Sequence, residues 1–61
     1  MNGQRLRVLV VEDSPVARRL IVHILNEDPE LEVVAEAADG REAVVLTARY
    51  RPDVIVMDVV M

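Results

Sequence analysis

Three carboxylates in this sequence stand where short apolar runs end. Glu12 and Asp13 directly follow the run 8–11, and Asp58 directly follows the run 54–57. Two like charges about 4 Å apart repel by roughly 4 kcal/mol at an effective dielectric constant near 20, so such a cluster needs a cation. Oxygen ligands without His or Cys favour Mg²⁺. A carboxylate in such a site could attack a phosphoryl group and form an aspartyl phosphate.

Each acid also has a simpler explanation when it is taken alone. An acid after a strand is often a helix cap or a solvated loop residue, and Asp13 could simply favour a helix that begins beside it. The combination of an acid pair after one apolar run and a single Asp after another is much rarer by chance than either feature. The combination therefore favours a shared site.

The first two predicted elements follow from the residues around the acid pair. The β-branched run 8–11 predicts a buried strand. Ser14 followed by Pro15 predicts a helix start, because Ser can accept from an orphan N–H and Pro at the first helical position loses no intrahelical bond. The helix should end near Asn26, before the Asp-Pro pair. Its predicted apolar face is Ala17, Leu20, Ile21, Ile24 and Leu25, and its predicted solvated positions include Arg18 and Arg19.

The second half of the sequence repeats this order of elements. A strand is predicted over 31–37, and a helix is predicted to begin at Asp39 with Glu42 as the reciprocal capping partner. The segment 51–53 turns the chain into a last strand over 54–58.

The element order β-α-β-α-β with short connections predicts an α/β fold with parallel strands and right-handed crossovers. If the second crossover reverses direction, the strand order is 2-1-3 and the two helices lie on opposite faces of the sheet. The carboxyl ends of the first and third strands then meet at the reversal point, where open α/β sheets bind ligands.

Composition narrows the classes of function. The 61 residues include no Cys, so neither disulfides nor thiolate metal sites are expected. The net charge of −4, with seven Arg and no Lys, gives no clustered basic face for direct nucleic-acid contact. The apolar runs are far shorter than a membrane span, and the acid at Glu12 interrupts any signal-peptide core. We expect a cytoplasmic protein without membrane contact.

Three segments resemble the first half of two-component response-regulator receiver domains: V-L-V-V-E-D-S (8–14), A-A-D-G-R-E-A (37–43) and R-P-D-V-I-V-M-D-V-V-M (51–61). The resemblance implies a flavodoxin-like receiver fold, truncated to β-α-β-α-β, in which residues 1–61 are the amino-terminal part of a single receiver domain. The segments S-P-V-A-R-R-L-I and I-L-N-E-D-P-E-L-E-V-V-A are similar to the receivers of chemotaxis protein-glutamate methylesterases.

The resemblance also implies a role for each acid. Asp58 matches the phosphoacceptor of the family, which a histidine kinase phosphorylates. Glu12 and Asp13 match the acidic pair that holds Mg²⁺ together with Asp58, and the backbone carbonyl of Val60 matches a further protein ligand. The family more often has Asp at position 12. The implied partners are the kinase and an output domain of the parent protein, which is a methylesterase if the finer resemblance holds.

Two alternatives stay open on the residues alone. A phosphatase-like enzyme could form an aspartyl phosphate at Asp58, but such enzymes usually carry a second acid two residues later, where this sequence has Val60. Alternatively, the sequence is an engineered or truncated half-domain that self-associates without phosphotransfer. By the resemblance, the family's phosphate-contacting Ser or Thr, its Lys and its switch aromatic follow position 61. Phosphotransfer by residues 1–61 alone is therefore not expected.

Overall fold

The computed structural model describes residues 4–57, which form three strands and two helices. They follow one another as β1 (Leu6–Val11), α1 (Pro15–Asn26), β2 (Leu31–Ala37), α2 (Gly40–Tyr50) and β3 (Val54–Met57). The strands are parallel and lie in the order β2-β1-β3. The predicted α/β fold and 2-1-3 strand order are confirmed.

The first strand begins two residues earlier than its apolar run predicts. Leu6 pairs with Leu31 and Arg7 pairs with Glu32, so the ladder between β1 and β2 extends past the buried part of the sheet. Arg7 interrupts the apolar pattern between Leu6 and Val8, which is why the sequence pattern missed this extension.

Both helix starts have the predicted caps. The Ser14 Oγ accepts from the Ala17 N–H at 3.2 Å, and the Asp39 Oδ1 accepts from the Glu42 N–H at 2.9 Å. The Glu42 carboxylate accepts in return from the N–H of Ala38 at 2.6 Å, one residue before the cap rather than at the cap itself. The bonds from Ala17 and Glu42 satisfy N–H donors that the helices leave without an intrahelical partner.

The core lies on both sides of β1, because successive residues of a strand point to opposite faces. The helices accordingly cover different faces of the sheet. The α1 face contains Val8, Val10 and Val22, with Ile21, Leu25, Leu31, Val33 and Val56 packed against them. The α2 face contains Leu9, Val11, Ala37 and Ala43, with Ala35 and Leu46 packed against them.

A β-bulge interrupts the pairing between β1 and β2. Val8 pairs with Val33 and Leu9 pairs with Ala35, which leaves Val34 as an extra residue on β2. Because the bulge inserts one residue into the alternation, the odd-numbered residues of β2 face α1 before the bulge and α2 after it.

The inward face of α1 differs from the predicted one. Leu20 and Ile24 are 58% and 57% exposed, whereas Val22 is buried and packs with Ile21 and Leu25 against the sheet. Apolar residues occupy most of the circumference of this helix, so periodicity alone does not select the stripe that packs. The prediction of Leu20 and Ile24 as core positions was therefore wrong.

Candidate functional site

The site lies where β1 and β3 end side by side. Val11 is the parallel partner of Met57, and Glu12 is the residue that follows Val11. Of the predicted site residues, Glu12 and Asp13 lie together at the carboxyl end of β1. The predicted phosphoacceptor Asp58 and the predicted carbonyl ligand of Val60 lie outside the described residues.

Glu12 is buried, with 6% of its surface exposed. Its Oε2 accepts from the backbone N–H of Ser14 at 3.0 Å, and its own backbone N–H donates to the carbonyl oxygen of Ala37 at 3.0 Å. A buried carboxylate needs such partners, because burial without them is costly. Asp13, the next residue, is exposed at the start of the loop into α1.

Arg18 also belongs to this site, although the sequence pattern predicted a solvated side chain. Its Nη1 donates to the backbone carbonyl oxygen of Glu12 at 2.6 Å, and its Nε lies 3.5 Å from the Oε1 of Glu36. The Arg18 side chain is 20% exposed, so the prediction for this residue was wrong. Its neighbour Arg19 is 76% exposed, as predicted, and lies 3.9 Å from the other oxygen of Glu36.

The sequence contained a signal for Arg18 that the choice of helix face obscured. Once Val22 is taken as the buried position of α1, Arg18 falls on the same stripe, at the helical spacing of Arg18, Ile21, Val22 and Leu25. A long cationic side chain on such a stripe can bury its stem and direct its guanidinium toward the end of the sheet.

The donor chemistry of the acid pair fits Mg²⁺. Both side chains offer oxygen atoms, and an ionised carboxylate has about four acceptor positions, of which the bond to the Ser14 N–H uses one in Glu12. Mg²⁺ is commonly held by one or two carboxylates while it keeps several waters. Within residues 4–57 there is no group of three potential metal-ligating side chains, and the third predicted carboxylate, Asp58, follows that range.

Two surface depressions of the described residues lie elsewhere. A polar depression of about 670 Å³ at the opposite end of the sheet is lined by Gln4, Arg5, Arg7, Glu32 and Asp53. An apolar groove of about 440 Å³ between α2 and β3 is lined by Gly40, Ala43, Val44, Thr47, Ala48, Ile55 and Met57. Neither includes the acid pair. The acid pair remains the candidate site, because ligands of parallel α/β sheets bind at the carboxyl ends of the strands.

Comparisons with known proteins agree with the geometry. The chain is 62% identical over 56 residues to protein-glutamate methylesterase/protein-glutamine glutaminase 3 of Anaeromyxobacter dehalogenans (strain 2CP-C), covering 92% of this chain and 16% of that protein. It is 56% identical over 61 residues to protein-glutamate methylesterase/protein-glutamine glutaminase 4 of Myxococcus xanthus (strain DK1622), covering 100% of this chain and 17% of that protein. The chain thus spans about one sixth of the length of these curated relatives.

The fold has a close match among solved structures. The crystal structure of the response regulator domain of Thermotoga maritima CheB aligns with a TM-score of 0.88 at 43% sequence identity, over 95% of this chain and 43% of that chain. The resemblance to methylesterase receivers that the sequence motifs indicated is thereby confirmed. Residues 8–61 match the response regulator receiver domain, and the chain belongs to that family.

Proposed function

We propose that this chain is the phosphoacceptor part of a receiver domain in which a histidine kinase phosphorylates Asp58. Glu12, Asp13, Asp58 itself and the backbone carbonyl of Val60 would hold Mg²⁺. The observation that carries the proposal is the pairing of Val11 with Met57, because Glu12 and Asp58 are the residues that follow this pair in the sequence. The buried Glu12 and the exposed Asp13 supply oxygen ligands at the same strand end.

The proposed reaction moves a phosphoryl group between two side chains. A carboxylate oxygen of Asp58 forms a bond to phosphorus while the bond from phosphorus to the imidazole nitrogen of the kinase phosphohistidine breaks. The nitrogen keeps the electron pair of that bond and takes up a proton. Mg²⁺, when bound, neutralises charge on the transferring group. Glu12 contributes a carboxylate whose orientation the Ser14 N–H fixes.

The likeness to methylesterase receivers supports a proposal for the parent protein. We propose that residues 1–61 are the amino-terminal part of a single receiver domain that regulates a methylesterase output domain in the cytoplasm. None of the helices in residues 4–57 is long and apolar enough to cross a membrane.

Asp58→Asn in the full natural protein tests the phosphoacceptor. The change keeps the shape of the side chain and removes the nucleophile, so labelling by acetyl phosphate or by the phosphorylated kinase should be lost while the fold persists. Asp53→Asn is the matched control, since Asp53 precedes β3 at the opposite end of the same strand. Hydroxylamine-labile phosphate that persists on Asp58→Asn would place the acceptor elsewhere.

We also propose that residues 1–61, prepared in isolation, self-associate. Among the described residues β3 pairs only with β1, and its residues Val54, Ile55 and Met57 are 40%, 45% and 49% exposed. An unpaired apolar edge is a template for pairing with another chain. Analytical ultracentrifugation at micromolar concentration should therefore show dimers or larger species, and a compact monomer with cooperative unfolding would contradict the proposal.

A further inference from the structure

Three hydrogen bonds hold Glu12 in place. Its backbone N–H donates to the Ala37 carbonyl oxygen at the end of β2, and its Oε2 accepts from the Ser14 N–H at the start of α1. Its carbonyl oxygen accepts from the Arg18 Nη1 at 2.6 Å. The first two contacts come from the backbone, whereas the third depends on a side chain that substitution can remove.

Arg18 is itself held in place. Its Nε lies 3.5 Å from Glu36 Oε1, and the two side chains are 20% and 32% exposed. The guanidinium presents several N–H groups in a fixed planar fork, so it can donate to a carbonyl oxygen while it faces a carboxylate. Arg19 lies 3.9 Å from the same acid, but at 76% exposure it is a solvated partner.

We propose that Arg18 is a positioning residue for Mg²⁺ binding, because it fixes the backbone that carries Glu12 and Asp13. This inference rests on the metal site of the proposed function. Groups that hold metal ligands in place typically contribute 10- to 100-fold to metal affinity. With the hydrogen bond from Arg18 to the Glu12 carbonyl oxygen, the loop presents the carboxylates of Glu12 and Asp13 in one arrangement. Without that bond the metal must order the loop as it binds, which lowers its affinity.

The direction in which Mg²⁺ affinity changes separates a positioning role of Arg18 from an effect of its charge. Arg18 is a cation close to a cation site, so removing its charge alone would strengthen Mg²⁺ binding by reducing repulsion. Loss of positioning would weaken Mg²⁺ binding instead. The two explanations therefore predict opposite changes in the dissociation constant for the same substitution.

Arg18→Met and Arg19→Met form a matched pair in the full natural protein. Met keeps an unbranched stem and removes both the charge and the donors, and both arginines contact Glu36. In calorimetric titrations with MgCl₂, Arg18→Met should raise the dissociation constant by about 10-fold or more. Arg19→Met should change it by less than about twofold, since its contact is exposed and screened.

A second readout follows the loop without metal. In Mg²⁺-free protein, Arg18→Met should speed hydrogen exchange at the Ser14 amide, which donates to the Glu12 carboxylate, by about 10-fold. The Arg7 amide, which donates to Asp53 at the other end of β1, should exchange at an unchanged rate. If Arg18→Met does not fold, Arg18→Gln takes its place. Gln keeps a polar end at this half-buried position, but its side chain is uncharged and shorter than that of Arg18.

The outcomes distinguish this inference from the function on which it rests. A wild-type protein that binds no Mg²⁺ would overturn both. Wild-type binding with an equal or lower dissociation constant in the Arg18 variant would overturn only the positioning role and leave the metal site standing. Weakened binding in Arg18→Met but not in Arg19→Met, with faster exchange at Ser14, is the result that we expect.

Discussion

At each end of β1 an arginine donates to a backbone carbonyl oxygen in a loop. At the amino end the Arg7 Nη1 donates to the backbone carbonyl oxygen of Arg51 at 3.0 Å. At the carboxyl end the Arg18 Nη1 donates to the backbone carbonyl oxygen of Glu12 at 2.6 Å. The surroundings differ, because the first bond is exposed and the second is partly buried beside Glu36.

The acceptor loops differ in what they carry. The loop after α2 joins Arg51 to β3, and its Asp53 accepts from the Arg7 N–H at 2.9 Å while the Asp53 N–H donates to the Arg7 carbonyl at 2.8 Å. The loop at the carboxyl end carries Glu12 and Asp13. The same kind of bond therefore fastens the loop before β3 to the amino end of β1, and positions the candidate ligand residues at the carboxyl end of β1. Stability and metal affinity should respond separately to changes at the two ends.

Leu9→Ala should have the largest effect, because it removes a fully buried side chain at the centre of the strand that joins both ends. We expect a loss of about 2–5 kcal/mol in the free energy of unfolding, from lost burial and the cavity left behind. Chemical denaturation of the full natural protein measures it. Val44→Ala, at a position that is 72% exposed, is the control and should stay within about 0.5 kcal/mol. A loss in Leu9→Ala no larger than that in Val44→Ala would contradict the central place of Leu9 in the core.

Mg²⁺ should stabilise the folded protein by binding at the carboxyl end of β1. Binding to the folded state alone stabilises it by about 2.7 kcal/mol when free Mg²⁺ is a hundred times its dissociation constant. Thermal unfolding across a Mg²⁺ titration would measure the shift. Asp13→Ala should reduce the shift, because it removes one of the proposed oxygen ligands. If Mg²⁺ raises the unfolding temperature of Asp13→Ala as much as that of the wild type, Asp13 is not a ligand. The difference in metal binding between the two ends of β1 would then be weaker.

Arg7→Ala should change stability without changing metal affinity. Loss of the bond to the Arg51 carbonyl should cost about 0.5–1.5 kcal/mol, the usual net contribution of one hydrogen bond. The Mg²⁺ dissociation constant should stay at its wild-type value, because the Arg7 contacts lie at the amino end of β1. Arg5→Ala is the control for the loss of positive charge nearby. A metal affinity that falls with Arg7→Ala would show that the two ends are coupled.

Arg51→Gly should have the smallest effect and the opposite sign. Arg51 ends α2 in the left-handed region at φ 49°, where glycine avoids the steric cost of a side chain. The gain is offset by the greater freedom of glycine in the unfolded chain, so we expect a net stabilisation below about 1 kcal/mol. The carbonyl that accepts from Arg7 belongs to the backbone and is kept. A destabilised variant would indicate that the Arg51 side chain contributes to the loop.

The sequence predicted those features that short-range chemistry determines. Ser14 before Pro15 and Asp39 before a helix could be recognised because a cap is a local hydrogen bond. The parallel strands followed from short connections and right-handed crossovers, whereas the 2-1-3 order required the further assumption that the second crossover reverses direction. The place of the acid pair at a strand end followed from the abrupt end of an apolar run. Asp58 remains a prediction from the sequence, since it lies outside the described residues.

The missed features depend on contacts between distant elements. The side of α1 that packs is decided by the surface of β1 and β2, which favours Val22 over Leu20. The role of Arg18 depends on that same rotation of the helix, because the guanidinium reaches Glu12 and Glu36 only when its stem lies toward the sheet. The helical spacing of Arg18 with Val22 is visible in the sequence, but only packing against the sheet selects that stripe over the one with Leu20 and Ile24.

The bulge at Val34 sets how β2 tolerates changes in its length. Deleting Val34 would leave Val33 and Ala35 as consecutive partners of Val8 and Leu9, and every other side chain of β2 would keep its side of the sheet. Deleting one residue from the middle of β1 would instead reverse all the side chains that follow it. We therefore expect deletion of Val34 to be better tolerated than deletion of a residue from the middle of β1.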